Sequence, residues 1–194
     1  MNGLTPVNER SSNVTFLSIK NGRITRKNPE TSEEEIYQSV TGILTGLTER
    51  TADFNGTSIN FIELHLTCGN EKYKLSVNRD SGAARSLINA LASAMDFTAP
   101  LVIKPWLGDP DELGKRYTNV SVYVGQAVKE NKLPWAVTLP KVNYVQVGRN
   151  LVPDDSARFA ALQQLMQGIR SRLGSQPQYP APGLGQVNEY EQQY

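Results

Sequence analysis

Between Ser39 and Val128 the spacing of apolar residues changes period in a fixed order: three alternating stretches, one at helical spacing, then two more alternating ones. The alternating stretches are Ser39–Thr48, Ser58–Thr67 and Lys72–Val77, and after the helical stretch from Gly82 to Met95 come Ala99–Trp106 and Tyr117–Val128. Gly, Asn or Asp bounds the first three, as strand ends require. A chain with this succession must build a curved sheet with one helix inserted late.

The order β-β-β-α-β-β is that of a five-stranded OB barrel. The predicted fold is mainly β: an OB-fold barrel with an N-terminal β-hairpin extension, a C-terminal helix and a disordered tail. Ahead of the barrel, Asn13–Lys20 and Arg23–Arg26 alternate on either side of Asn21-Gly22, the signature of a two-residue hairpin. Residues Asn28 to Glu35 are polar with a proline and read as a connection. Behind the barrel, Val142–Val147 reads as one more short strand. Asp154 and Asp155 then stand where a helix needs an N-cap, and Phe159, Leu162, Leu165, Met166, Ile169 and Leu173 recur at helical spacing, a stripe suited to packing on the barrel. From Gly174 the composition shifts to Pro, Gly, Gln and Ser, which bury too little to offset the entropy of ordering. The expected organisation is a flexible N-terminus over 1–12, one domain over 13–173 and a disordered tail over 174–194.

No stretch of the 194 residues approaches the roughly 18 apolar residues that span a bilayer, and the N-terminus has no apolar signal core, so no membrane is expected and the cytoplasm is the expected location. A single cysteine, Cys68, excludes an internal disulfide. It follows Ile62, Leu64 and Leu66 in phase and is expected to be a buried thiol. His65 is the sole histidine and alternation places it on the face opposite Cys68, which argues against a Cys-His nucleophile pair. No phosphate-binding glycine loop is present. Asp109, Asp111 and Glu112 read as turn residues, and neither an enzyme, a cofactor nor a metal is expected.

The formal net charge of +1 is small for a polyanion binder, but its distribution is uneven. Residues 1–29 carry Arg10, Lys20, Arg23, Arg26 and Lys27 against Glu9 alone, and Glu30, Glu33, Glu34 and Glu35 follow as solvated surface. Binding single strands without sequence choice needs flat rings for base stacking and cations for phosphates on one surface. Alternation supplies candidates. Lys72 and Lys74 point outward in the third barrel strand, and Tyr117 and Tyr123 in the last one, along with Asn119 and Ser121. Phe61 lies on the polar side of the second strand. Lys104 and Trp106 end the fourth, before a loop that closes on Lys115 and Arg116. The loop Glu49–Gly56 adds Arg50 and Phe54, in one of the two places where OB folds build binding loops. Arg23, Arg26 and Lys27 would extend the phosphate track along the hairpin.

Val14–Ile24, Tyr37–Leu47 and Tyr73–Val77 together resemble the OB-fold single-stranded DNA-binding proteins encoded by tailed bacteriophages, over roughly residues 14–150. The resemblance implies a protein that coats single-stranded DNA in replication and recombination, inside the host cytoplasm. It also implies an acidic tail that recruits replication or recombination proteins. The tail departs from that pattern, with Glu189, Glu191 and a terminal Tyr194 in place of a run of aspartates ending in Phe. An OB-fold protein-interaction or virion-assembly module is the alternative reading.

Overall fold

The computed structural model describes residues 14–175. Ten strands and two helices follow one another: β1 Val14–Lys20, β2 Arg23–Lys27, β3 Glu34–Tyr37, β4 Val40–Phe54, β5 Thr57–Cys68, β6 Glu71–Asn78, α1 Gly82–Ala92, β7 Leu101–Leu107, β8 Thr118–Val124, β9 Asn143–Val147, β10 Asn150–Asp154 and α2 Ser156–Gly174. The first eight strands form one curled sheet in the order β3-β2-β1-β6-β5-β4-β7-β8, while β9 and β10 pair only with each other.

The five stretches expected to form a barrel are β4, β5, β6, β7 and β8, with α1 between β6 and β7 in the chain; they neighbour one another in the order β6-β5-β4-β7-β8 but belong to a curled sheet of eight strands rather than five. The ladder that would join β6 to β8 is replaced. β1 pairs parallel with β6, Phe16 opposite Lys74 and Ser18 opposite Ser76, and so occupies that edge. Near that gap the turn between β1 and β2 reaches the end of β7 and the start of β8. Asn21 and Gly22 both have positive φ, as a two-residue hairpin turn demands, and the Gly22 N–H donates to Thr118 Oγ1 at 3.1 Å. A Cβ on Gly22 would lie 2.8 Å from the Leu107 nitrogen, so glycine is needed for close approach as well as for φ. On the other edge, α1 lies along β8, where the Val120 N–H donates to Ser86 Oγ at 2.8 Å.

One core fills the curl. Ile24, Leu44, Ile62, Leu64, Leu66, Leu75, Ile103 and Val122 come from the sheet, Leu87, Ile88 and Leu91 from α1, and Leu162, Met166 and Ile169 from the expected stripe of α2. Each such side chain contributes about 1.5–3 kcal/mol on burial. α1 begins as its sequence asks, Ser81 Oγ accepting the Ala84 N–H at 3.1 Å.

Several expected boundaries are corrected. Glu34 and Glu35, expected to end a connection, instead open β3, because β2 has a free edge on which Glu34 faces Lys27 and Glu35 faces Arg26. The expected loop Glu49–Gly56 is mostly strand: β4 and β5 run on to Phe54 and Thr57, and the turn is Asn55-Gly56, both at positive φ. α1 stops at Ala92 and not Met95, since the Ser93 N–H and hydroxyl turn back onto the last carbonyls and leave Met95 exposed. The last barrel strand stops at Val124, where Gly125 takes a φ of +75°. β10 is an unexpected partner for β9. Cys68 is exposed rather than buried, because it ends β5 at the sheet rim beyond the helices' cover. Ser121 is buried rather than outward, because residues 132–133 fold back on β8, Leu133 N–H donating to the Val122 carbonyl.

Residues 1–13 and 176–194 lie outside the described residues, and with them the expected flexible N-terminus and nearly all of the expected tail. Gly174, expected to open the tail, is instead the last residue of α2. Among the described residues no helix is long and apolar enough to cross a membrane.

Candidate nucleic-acid interface

The outward side chains of β1, β6, β5 and β4 form one continuous face, because the ladders place them in rows. Phe16, Lys74 and His65 share one row, Ser18, Ser76, Glu63 and Thr48 the next, and Asn78, Phe61 and Arg50 a third. Phe54, four residues beyond Arg50 on β4, completes the face at the hairpin tip.

Aromatic rings and cations alternate across these rows. The Phe54 and Phe61 rings meet edge-on with centroids 6.4 Å apart, and the Arg50 guanidinium stands 4.9 Å over Phe61. Lys74 Nζ stands 5.8 Å from the centre of the Phe16 ring. Phe16 is 64% exposed, which is unusual for a large apolar ring in mid-strand. Between the two cations sits Glu63, whose side chain is only 8% exposed. It accepts from Arg50 Nε at 2.8 Å and lies 3.3 Å from Lys74 Nζ. Burial alone would raise its pKa, but hydrogen bonds from Arg50 and Lys74 outweigh burial and hold the carboxyl below its usual range.

Beside this group, a shallow groove of about 480 Å³ runs between Val14 and Thr45, floored by His65, Thr67, Lys72 and Lys74. His65 Nε2 lies 3.0 Å from Thr48 Oγ1. Burial, and then the nearby Lys74 charge, pull its pKa down, so the ring is neutral at neutral pH.

Of the predicted binding residues, the fold therefore brings Arg50, Phe54, Phe61, Lys72 and Lys74 onto one surface. It does not bring the others there. Tyr123 faces outward from β8, opposite Val102 and thence Thr41, which is two residues from Ile43 in the row of Lys72 but nine residues before Arg50 on β4, so Tyr123 lies roughly 30 Å of extended strand from the Arg50, Phe61 and Phe54 cluster. Lys104 shares that remote part of the sheet. Trp106, Lys115, Arg116 and Tyr117 gather at the β7–β8 loop, where Lys115 Nζ lies 5.2 Å over the Tyr117 ring and Arg116 Nε donates to the Gly108 carbonyl. The carboxylate of Asp111 serves the turn as expected, accepting from the Leu113 and Lys115 N–H groups and the Tyr117 hydroxyl.

The basic hairpin is split. Arg23 and Lys27 face outward, whereas Arg26 shares the inward face of Ile24, lines a cavity of about 330 Å³ with Tyr37, Cys68 and Tyr73, and pairs with Glu35 at 3.6 Å. In that cavity the Tyr73 hydroxyl donates to Glu71, which pushes its pKa up to about 12. Glu34 meets Lys20 at 3.3 Å, so the Glu run neutralises part of the basic arm.

Phe16 and Glu63 are not among the predicted binders. For Phe16 the signal is legible, since Val14, Phe16 and Ser18 alternate with the inward Leu17 and Ile19. For Glu63 it is weaker, because its pairing with Lys74 depends on the β5–β6 register. No protein-family model, curated protein or solved structure matches this chain.

Proposed function

We propose that this protein binds single-stranded DNA with little sequence preference, coating and protecting it during replication or recombination, as the phage proteins it resembles do. The observation that carries the reading is the run Phe16, Lys74, Glu63, Arg50, Phe61 and Phe54 across four strands, in which rings for stacking alternate with cations for phosphate. The strand succession β6-β5-β4-β7-β8 supports an OB-type barrel in which β1 and the Gly22 turn supply the closure, and the aromatic face then falls on the strands such barrels use for oligonucleotides. The proposed role is binding rather than catalysis.

Fluorescence anisotropy of labelled oligo-dT at two salt concentrations tests the proposal. Saturable binding that weakens steeply with salt supports it, and absence of binding at low salt refutes it.

One feature favours the alternative of a protein-interaction or assembly module. The β9–β10 hairpin exposes Tyr144, Val147 and Leu151. Association insensitive to salt, with no retention of oligo-dT, would favour that module.

A further inference from the structure

A second ring-and-cation surface lies beyond the end of β6, where the start of α1, the start of β8 and residues 135–141 meet around a cleft of about 510 Å³. Its cations are Arg85, Lys141 and Arg158, and its rings are Tyr117 and Trp135. Through Asn119 and Trp135 it continues into a groove of about 240 Å³ bounded by Trp106 and Lys132.

The charges of this cleft are unequally matched. Arg158 Nη1 lies 2.8 Å from Asp155 Oδ1, and Asp80 meets Arg79 at 3.2 Å. Asp111 is taken by the turn that holds Tyr117. That leaves Arg85, half-buried on α1, with no side-chain hydrogen bond or ion pair among the described residues. Burial, and then the Arg158 charge, push its pKa below the usual guanidinium value, with Asp155, Asp80 and Tyr117 opposing.

The backbone that follows Trp135 is held in place while Trp135 itself stays open. Asn89, fully buried on α1, clamps the chain on both sides of Val137: its Nδ2 donates to the Val137 carbonyl at 2.7 Å and its Oδ1 accepts the Val137 N–H at 3.0 Å. The Ala136 N–H also bonds the Asn89 carbonyl. The backbone beside Trp135 is fixed, yet the residue remains 60% exposed. An indole presented on a clamped backbone next to an unmatched guanidinium suits a ligand with both a flat face and an anion.

We propose that this cleft binds a nucleoside monophosphate unit, its base against Trp135 and its phosphate on Arg85 and Lys141. The site is separate from the outer sheet face and does not depend on DNA binding there. The unit has two sources, a free nucleotide or one residue of a DNA strand.

The test uses the full chain carrying Trp106→Phe, which leaves Trp135 as the one tryptophan, so that indole fluorescence reports on this cleft. It is titrated with dTMP, with a 5′-phosphorylated dT tetramer and with thymidine. Saturable quenching by dTMP identifies a free-nucleotide site, and quenching by the tetramer alone identifies a strand site. Lys141→Gln and Arg85→Gln each weaken the effective ligand by about tenfold or more, the value of one charge-assisted hydrogen bond, while thymidine, which has no phosphate, quenches far more weakly than the phosphate ligands. Lys141 is exposed, so its variant decides the matter if Arg85→Gln does not fold. Three results overturn the proposal: no quenching by either phosphate ligand, equal quenching by thymidine, or unchanged affinity in Lys141→Gln.

Discussion

The sheet face and the α1 cleft use the same ingredients, rings beside guanidinium and ammonium groups, but they treat charge in opposite ways. On the sheet, Arg50 and Lys74 are held by Glu63, a carboxylate with almost no exposure of its own. In the cleft, Arg85 has no such partner, and the nearby carboxylates are engaged elsewhere. A buried carboxylate positions two cations over their rings and lowers the positive potential of that face; an unmatched guanidinium keeps its charge for a ligand but leaves stability unrealised. Ordered cations and available charge are thus alternatives within one chain.

The largest expected effect falls on the rings of the sheet. Phe61→Ala removes the ring that both Phe54 and Arg50 contact, and should weaken oligo-dT binding by about 1–3 kcal/mol in an anisotropy titration. Phe54→Ala should cost a similar amount or less. If both variants bind like the parent, the assigned face is wrong.

Next in size is Glu63→Gln, which tests whether the carboxylate trades affinity for order. Denaturant unfolding should show a loss of about 1–2 kcal/mol, discounted because Arg50 remains half-exposed and finds water. Oligo-dT affinity at low salt should rise, because the face loses a negative charge. A stable variant with unchanged affinity would make Glu63 a bystander.

A smaller effect is expected on the basic hairpin. Replacing Arg23 and Lys27 with Gln should reduce the salt slope of binding by up to about two, one for each phosphate no longer neutralised. Arg26→Gln should leave the slope unchanged, since Arg26 faces inward and pairs with Glu35.

The smallest effects are on pH dependence, and the two groups begin to act at different pH. Glu63 titrates below its ordinary 4.5, so its contribution is complete above that pH and is lost as pH falls through the lowered value. His65 titrates below its ordinary 6.5, so the unfolded chain takes up its proton first and stability starts to fall as pH drops below that point. Thermal unfolding from pH 7.5 to 3.5 should show both steps, with His65→Gln removing the upper and Glu63→Gln the lower.

Much of the fold is legible because period-2 alternation sorts a strand's side chains by face whatever its neighbours are. The inward set Ile62, Leu64 and Leu66 and the helical spacing of the α2 stripe are both of this local kind. The errors have a common origin. Glu34–Tyr37 and β10 are strands because partners happen to be available, Cys68 is exposed because no helix reaches the end of β5, and Ser121 is buried because residues 132–133 return to β8. The candidate site divides the same way: alternation finds Phe61, Lys72 and Lys74, but treating them as one surface with Tyr123 and Lys104 requires knowing how far apart β8 and the β4–β5 hairpin stand.

By itself the sequence determined the succession of β4, β5, β6, α1, β7 and β8, the inward set of the central strands, and the turn at Asn21-Gly22, because these depend on torsional preference and on spacing within about ten residues. Tertiary structure alone decided that β1 takes the edge of β6, that Glu63 lies between Arg50 and Lys74, and that Arg85 has no ion-pair or side-chain hydrogen-bond partner among the described residues. Coulomb attraction and hydrogen bonding act over a few ångströms in space, and separation along the chain does not reveal which groups will come that close.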